Sequence, residues 1–150
     1  MDEMIQRVLA NILFTRTNTS LSEHFYETVL KRLVSFGYEL KEDDGWMVCF
    51  AAEKVENRIK YSCNTTSIPD GLFHVAVDRV CGEFLFVKKN LGKLELTDLD
   101  LDGAITQIHE GDVTVAFASG SSDEDKLNSF LNYLVVSGEG DFVCYRKLKW

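Results

Sequence analysis

The stretch LFHVAVDRVCGEFLFV, residues 72–87, carries the strongest helical signal in the chain. Its apolar side chains recur every three or four residues, as on one face of an α-helix: Leu72, Val75, Ala76, Val80, Phe84 and Val87. Pro69 precedes the stretch, and proline is favoured in the first turn of a helix. Asn90 and Gly92 follow it and indicate a stop. We therefore predict a strongly apolar helix that ends near residue 92.

Three segments before this stretch, residues 2–14, 20–37 and 46–63, show the same helical spacing. Their apolar stripes are Ile5, Val8, Leu9, Ile12 and Leu13; Leu21, Phe25, Val29, Leu33 and Phe36; and Val48, Ala52, Val55, Ile59 and Cys63. Ser20 and Glu23 have the spacing of a capping box, which predicts the start of the second helix. Gly37 is well placed to end it in a left-handed conformation.

The pattern changes after residue 92. Three apolar residues then alternate with polar or small ones, and this period of two predicts a half-buried strand: Val113, Val115 and Phe117. Ser121 and Glu124 form a second capping box, which predicts a short helix ended by Gly138 and Gly140. Its apolar positions are Leu127, Phe130, Leu131, Leu134 and Val135.

The fold class that follows is mainly α. We predict a small helical bundle of about four to five helices with an inserted β-hairpin or extended loop at about residues 104–118. Residues 141–150 are predicted to form an extended C-terminal tail. With 150 residues, 45% of them hydrophobic, and no linker or repeat, the chain is expected to form one domain over residues 1–150.

The charge of the chain excludes some partners. The formal net charge is −8 and the isoelectric point about 4.8, the reverse of a free DNA-binding domain. The N-terminus, Met1-Asp2-Glu3, lacks the basic start of a secretory signal, and no apolar run approaches the roughly 20 residues of a membrane span. We expect a soluble, intracellular protein that does not bind membranes.

No residue pattern points to catalysis. The chain has no nucleophile elbow and no glycine loop of the Walker or Rossmann kind. Its histidines are scattered: His24, His74 and His109. Its cysteines lack CxxC spacing and are expected to be free core thiols rather than disulfide partners or metal ligands: Cys49, Cys63, Cys81 and Cys144. We predict that the protein is not an enzyme and needs no cofactor.

One acidic motif is similar to the start of a calcium loop. Asp98, Asp100, Asp102 and Gly103 match the first positions of an EF-hand, where alternating oxygens converge on one cation. The twelfth position should be a bidentate glutamate, but it is His109. The preferred interpretation is an acidic loop without metal, and the three aspartates are only weak candidate ligands.

The C-terminal segment is the better candidate site. Phe142, Tyr145, Arg146 and Trp150 are aromatic and arginine residues, the types that anchor protein interfaces. An acidic body with a basic, aromatic tail could dock on its own neighbour or on another partner. The alternative is that the tail packs back on the helices of its own chain.

Five segments resemble a known family by their order and spacing. They are LVSFGY at 33–38 followed by DD at 43–44, NTTSIPDGL at 64–72, VCGEFL at 80–85, IHEGDVTV at 108–115 and DFVCYRKLKW at 141–150. Together they resemble the small head–tail connector (adaptor) proteins of phages and defective prophages of low-GC Gram-positive bacteria. The acidic leucine stretch at 95–102 departs from that family's pattern.

The resemblance implies a ring, probably of twelve copies, between the portal protein and the next neck or tail-completion protein. It implies a place in the virion neck, after a period in the host cytoplasm, and a channel through which DNA passes without sequence-specific binding. The matching hairpin would make ring contacts or face the channel, with the residues Gly111, Asp112, Val113, Thr114, Val115 and Phe117. The docking residues for the portal would be Phe142, Tyr145, Arg146, Lys147 and Trp150.

Three other functions remain as alternatives. A regulatory or scaffolding helical module of a mobile element would bind one protein partner without forming a ring. A small acidic calcium-binding domain would use Asp98, Asp100 and Asp102. An enzyme with an unfamiliar active site is the last alternative.

Overall fold

A computed structural model describes residues 2–16, 19–109 and 122–148 of the chain. The helices are α1 (Asp2–Thr15), α2 (Glu23–Ser35), α3 (Gly45–Cys63), α4 (Phe73–Asn90), α5 (Leu101–His109), α6 (Asp123–Val135) and α7 (Phe142–Tyr145). Single 3-10 turns directly precede α3, α4 and α7, and a fourth, Leu96–Asp98, lies before α5. The prediction of a mainly α bundle is confirmed, and the described residues contain no strand.

Helix α4 lies at the centre of the bundle and packs against α2, α3 and α6, while α1 packs against α2 and α3. Ala76, Val80 and Phe84 of the predicted stripe are buried, but Val87 at its end is exposed. Because neighbours surround α4 on several sides, residues outside the stripe are buried as well, including Val77 and Leu85. A one-sided stripe therefore underestimates the buried surface of this helix.

Gly82 sets the distance between α4 and α6. A methyl group at this position would lie 2.7 Å from Cβ of Leu134 and 2.9 Å from the backbone nitrogen of Val135. No side chain larger than hydrogen fits that gap without moving one helix. The glycine therefore lets the two helices approach closely in the middle of the core.

The helix ends agree with the sequence in part. Gly37 has φ +91°, and its N–H and that of Tyr38 donate to carbonyls of the last turn of α2, as predicted. The N-cap of α2, however, is Ser22, whose hydroxyl accepts from the N–H of Phe25. Ser20 instead donates to the buried carboxylate of Glu56 in α3 at 2.6 Å.

The predicted cap of α6 is also displaced, by one residue. Ser122 caps α6 by accepting a hydrogen bond from the N–H of Asp125. Ser121, the predicted cap, lies outside the described residues. A capping-box spacing alone does not tell which of two adjacent serines is the cap, because that depends on where the chain enters the helix.

The predicted β-hairpin at about 104–118 is wrong over its first part, because residues 104–109 lie in α5. Asp100 begins this helix by accepting a hydrogen bond from the N–H of Gly103, three residues on. Ala104 is fully buried in the first turn. Residues 110–121, which carry the alternating pattern, lie outside the described residues.

The predicted extended tail is also corrected. Phe142–Tyr145 form the short helix α7, which packs against α3, and the backbone is extended at Arg146. Burial of Phe142 explains the difference, because removing its apolar ring from water lowers the free energy of the folded chain. Among the described residues, no helix is both long and apolar enough to cross a membrane.

Candidate partner-docking surface

The C-terminus of α3 holds the last described residues of the chain in place. Asn64 ends α3 in a left-handed conformation, with φ +53°. Its side-chain amide donates to the carbonyl of Lys147 at 2.8 Å, and the N–H of Lys147 donates to the carbonyl of Cys63 at 2.8 Å. Because the last carbonyls of a helix have no partner within it, Lys147 satisfies one of them. These two hydrogen bonds fix residues 146–148 beside α3.

The buried side chain of Arg79 holds α7 through its contact with Phe142. The guanidinium carbon of Arg79, on α4, lies 4.6 Å from the centroid of the Phe142 ring. Arg79 also donates to the carbonyl of Ser137 at 2.7 Å and pairs with Glu139, which accepts from Arg58 at 3.2 Å. The hydrogen bond from Arg79 holds the pKa of the Glu139 carboxyl below its usual value. The ionised Glu139 thereby links α3, α4 and the turn before α7.

Tyr145 closes α7 against the turn that precedes α4. A methyl group at Gly71 would overlap the hydroxyl of Tyr145, so the ring lies directly on the glycine backbone. The tyrosine is about one third exposed, at 37%. Its ring therefore contributes both to the attachment of α7 and to the edge of the surface above it.

Several side chains of α3 and of the C-terminal segment face solvent beside these contacts. Tyr61, Val143 and Leu148 are 84%, 75% and 70% exposed. They share a groove of about 730 Å³ with Arg146 and Lys147, whose side chains are exposed too. We call these five residues the C-terminal surface. Within the part of the chain that the structure describes, neither Arg146 nor Lys147 forms an ion pair. The surface thus combines apolar contact area with two cations that form no ion pair, although Glu139 also lines the groove.

The structure separates the predicted docking residues by role. Phe142 is buried, at 4% exposure, and supports the surface rather than forming part of it. Tyr145 lies at the edge, whereas Arg146 and Lys147 lie on it. Trp150 and the predicted ring or channel residues lie outside the described residues: Gly111, Asp112, Val113, Thr114, Val115 and Phe117.

Sequence reasoning missed Tyr61, Val143 and Leu148. Tyr61 gave a usable signal, because it lies off the apolar stripe of α3 and an aromatic side chain there has no predicted core contact. Val143 and Leu148 gave none, since their exposure depends on how α7 packs.

The acidic motif is engaged in local hydrogen bonds. Asp98 accepts from the N–H of Glu95 at 2.7 Å, and Asp100 accepts from the N–H of Gly103 at 3.2 Å. Among the described residues, no three histidine, cysteine or acidic side chains are placed to hold a metal ion.

The cysteines form no disulfide. Cys49, Cys63 and Cys81 are buried, and burial raises the pKa of each thiol, that of Cys49 to about 11. Because the thiolate is the nucleophilic form, these protonated thiols are poor nucleophiles at neutral pH. Cys144, on α7, is exposed, so the prediction of a core thiol is wrong for this residue.

Comparison of the chain with protein-family models, curated proteins and solved structures gave no match. What the C-terminal surface offers chemically is binding: apolar area, aromatic rings and cations on a rigid platform.

Proposed function

We propose that this protein is a structural head–tail adaptor of a tailed phage or phage-like particle. It binds the portal protein through the C-terminal surface and forms a ring, probably of twelve copies, in the virion neck. The ring passes DNA without sequence-specific contacts and meets the next neck or tail-completion protein on its other side. The resemblance of five ordered sequence segments motivates the proposal.

The C-terminal surface is the observation that supports docking. Arginine and aromatic residues dominate the binding energy of protein interfaces, and apolar side chains around them exclude water. Here Arg146, Tyr61 and Leu148 are arranged in this way, on a segment that Asn64 and Arg79 hold rigid. A rigid surface loses little conformational entropy on binding. The cations would favour an acidic patch on the portal.

The net charge of −8 fits a channel wall that does not hold DNA, because like charges repel a phosphate backbone. We place the alternating segment from Gly111 to Phe117 at the ring contact or the channel. The adaptor would have no catalytic activity and no cofactor.

Coexpression with the portal protein of the same particle tests the proposal. Electron microscopy of the purified mixture should show a ring of this protein stacked on the portal, with its copy number visible in the symmetry. A folded protein that ignores the portal would contradict the proposal and favour a regulatory or scaffolding module that binds one other protein.

Charge reversal tests the surface. Arg146→Glu should weaken portal binding by about tenfold or more, the effect of losing an interface anchor of about 1.4 kcal/mol. Lys93→Glu makes the same charge change at an exposed position away from the C-terminal surface, and it should leave binding unchanged. Equal binding by the two variants would exclude the C-terminal surface as the docking site.

A further inference from the structure

Glu139 lies in the turn that leads into α7, and its carboxylate binds two arginines. One oxygen accepts a hydrogen bond from Arg58 of α3 at 3.2 Å, and the other pairs with Arg79 of α4. The side chain of Arg79 is buried, at 7% exposure, whereas those of Glu139 and Arg58 are about half exposed. A single carboxylate therefore ties the entrance of α7 to two helices of the bundle.

Helix α7 itself buries little apolar surface. Among its four residues, all within the described part of the chain, Phe142 is the buried one. Beyond it, Tyr145 lies on Gly71, and Lys147 forms two hydrogen bonds with the end of α3. Segments with few buried apolar side chains open locally, at a lower free energy than unfolding of the whole domain. The position of α7 should therefore depend strongly on the ion pairs of Glu139.

The groups around Glu139 favour its ionised form. The charged side chains that share its two grooves are mostly cationic: Lys54 and Arg58 of α3, Arg79 and Glu83 of α4, and Arg146 and Lys147 of the C-terminal segment. Glu83 pairs with Lys54 at 3.1 Å, which leaves both arginines to Glu139, and the residues of α6 in the same groove are valines. The hydrogen bond from Arg79 lowers the pKa of the Glu139 carboxyl. The ion pairs are therefore complete above its ordinary value of 4.5 and are lost as pH falls through the lower folded value.

We infer that Glu139 is a latch for the C-terminal surface: its bonds with Arg58 and Arg79 keep α7 on the bundle, and loss of its charge releases residues 142–148 while α1 to α6 remain folded. The bundle can remain folded because Arg79 still donates to the carbonyl of Ser137, so its buried cation keeps an acceptor. Helices α1 to α6 also share a core to which α7 adds only the ring of Phe142.

The inference rests on the proposed function and gives it a positioning residue. The C-terminal surface combines Tyr61 of α3 with residues 143–148, so it exists only while α7 stays in place. Charge alone gives the opposite expectation for Glu139, because removing a carboxylate from a groove that binds an acidic patch of the portal should strengthen binding. The latch predicts that the same change weakens binding.

Hydrogen exchange measured by NMR tests the latch without the portal. The N–H of Lys147 donates to the carbonyl of Cys63, so its protection reports whether the segment is in place. Glu139→Gln keeps the shape of the side chain and removes its charge. At neutral pH, the protection of the Lys147 amide should fall by about tenfold or more, while that of Val80, in the middle of α4, stays unchanged.

Glu42→Gln is the matched control for this measurement. Glu42 is also an exposed glutamate that binds an arginine, Arg7 at 3.0 Å, but it lies before the start of α3, at the opposite end of that helix from α7. The control variant should leave the Lys147 amide protected. Unchanged protection in Glu139→Gln, an equal loss in the two variants, or a parallel loss at Val80 would overturn the inference.

Portal binding separates this inference from the proposed function. Glu139→Gln should bind the portal about tenfold more weakly than the wild type. Binding as tight as that of the wild type, or tighter, would overturn the inference and leave the adaptor proposal standing. A wild-type protein that does not bind the portal would contradict the adaptor proposal instead, and the exchange of the Lys147 amide would still decide whether Glu139 holds α7 in place.

Discussion

The ammonium nitrogen of Lys88 lies 2.7 Å from Oδ1 of Asp44, and both side chains are buried, at 4% and 0% exposure. The other oxygen of Asp44 accepts hydrogen bonds from the hydroxyl of Tyr38 at 2.8 Å and from the N–H of Lys41 at 2.9 Å. Burial and the neighbouring Asp44 raise the pKa of Tyr38, which keeps its donating proton. The ion pair joins the end of α4 to the 3-10 turn that precedes α3.

Removing one partner of this pair should destabilise the protein strongly. Lys88→Met leaves the carboxylate of Asp44 buried without a cation, and breaking a buried ion pair in this way costs about 3–5 kcal/mol. The measurement is the free energy of unfolding in urea. Lys93→Met, at an exposed position, is the control and should change it by less than about 0.5 kcal/mol.

The double variant Asp44→Asn, Lys88→Met removes both charges and should recover part of the lost stability, because no ionised group is then left unpaired in the core. A single Lys88→Met variant as stable as the wild type would show that the pair does not hold these elements together.

Gly82→Ala should destabilise the contact between α4 and α6. The added methyl group meets Leu134 and the backbone of Val135, and overpacking of this kind costs about 1–3 kcal/mol. Gly140→Ala is the matched control, since a methyl group there has no neighbour within 4 Å. Thermal unfolding of both variants checks the prediction. A Gly82→Ala protein that unfolds at a higher temperature than the wild type would show that α4 and α6 accommodate the methyl group without loss of stability.

The cysteines should differ in reactivity in the native protein. At about pH 8, Cys144 should react with Ellman's reagent, while Cys49, Cys63 and Cys81 react only after denaturation, because burial keeps their thiols protonated. A Cys144→Ser variant gives the background. Rapid reaction of more than one thiol in the native state would contradict the described burial.

The same thiols affect stability at alkaline pH. The pKa of Cys49 is about 11 in the folded protein against 9.0 for an ordinary thiol, so ionisation favours the unfolded chain as pH rises. The stabilisation from this group is fully present below about pH 9 and is lost as pH rises towards 11. Cys49→Ala should flatten the alkaline decline in the urea midpoint, and an unchanged pH profile would argue against it.

Calcium should leave the melting temperature unchanged. Asp100 is occupied as the N-cap of α5, so Asp100→Ala should cost about 1 kcal/mol whether or not calcium is present. Asp102→Ala removes an exposed carboxylate from the same helix and should cost less. A rise in melting temperature with calcium that Asp100→Ala abolishes would restore the calcium-binding alternative.

Local patterns predicted most of the helices. The stripes of α1, α2, α3 and α6 and the stop at Gly37 depend on side chains three or four residues apart, and those spacings hold in any tertiary context. The prediction was wrong at 104–109, where an alternation further along the chain was extended into a segment that Asp100 begins as a helix.

The sequence by itself determined that this chain forms an α-helical bundle and that its C-terminus carries aromatic and basic residues. Only the tertiary structure decided which of them are exposed. Phe142 is buried because Arg79, 63 residues earlier in the chain, lies over its ring, and Tyr61 gains its neighbour Leu148 because Asn64 binds Lys147. Contacts between residues so distant in sequence have no periodicity to reveal them, and packing alone selects them.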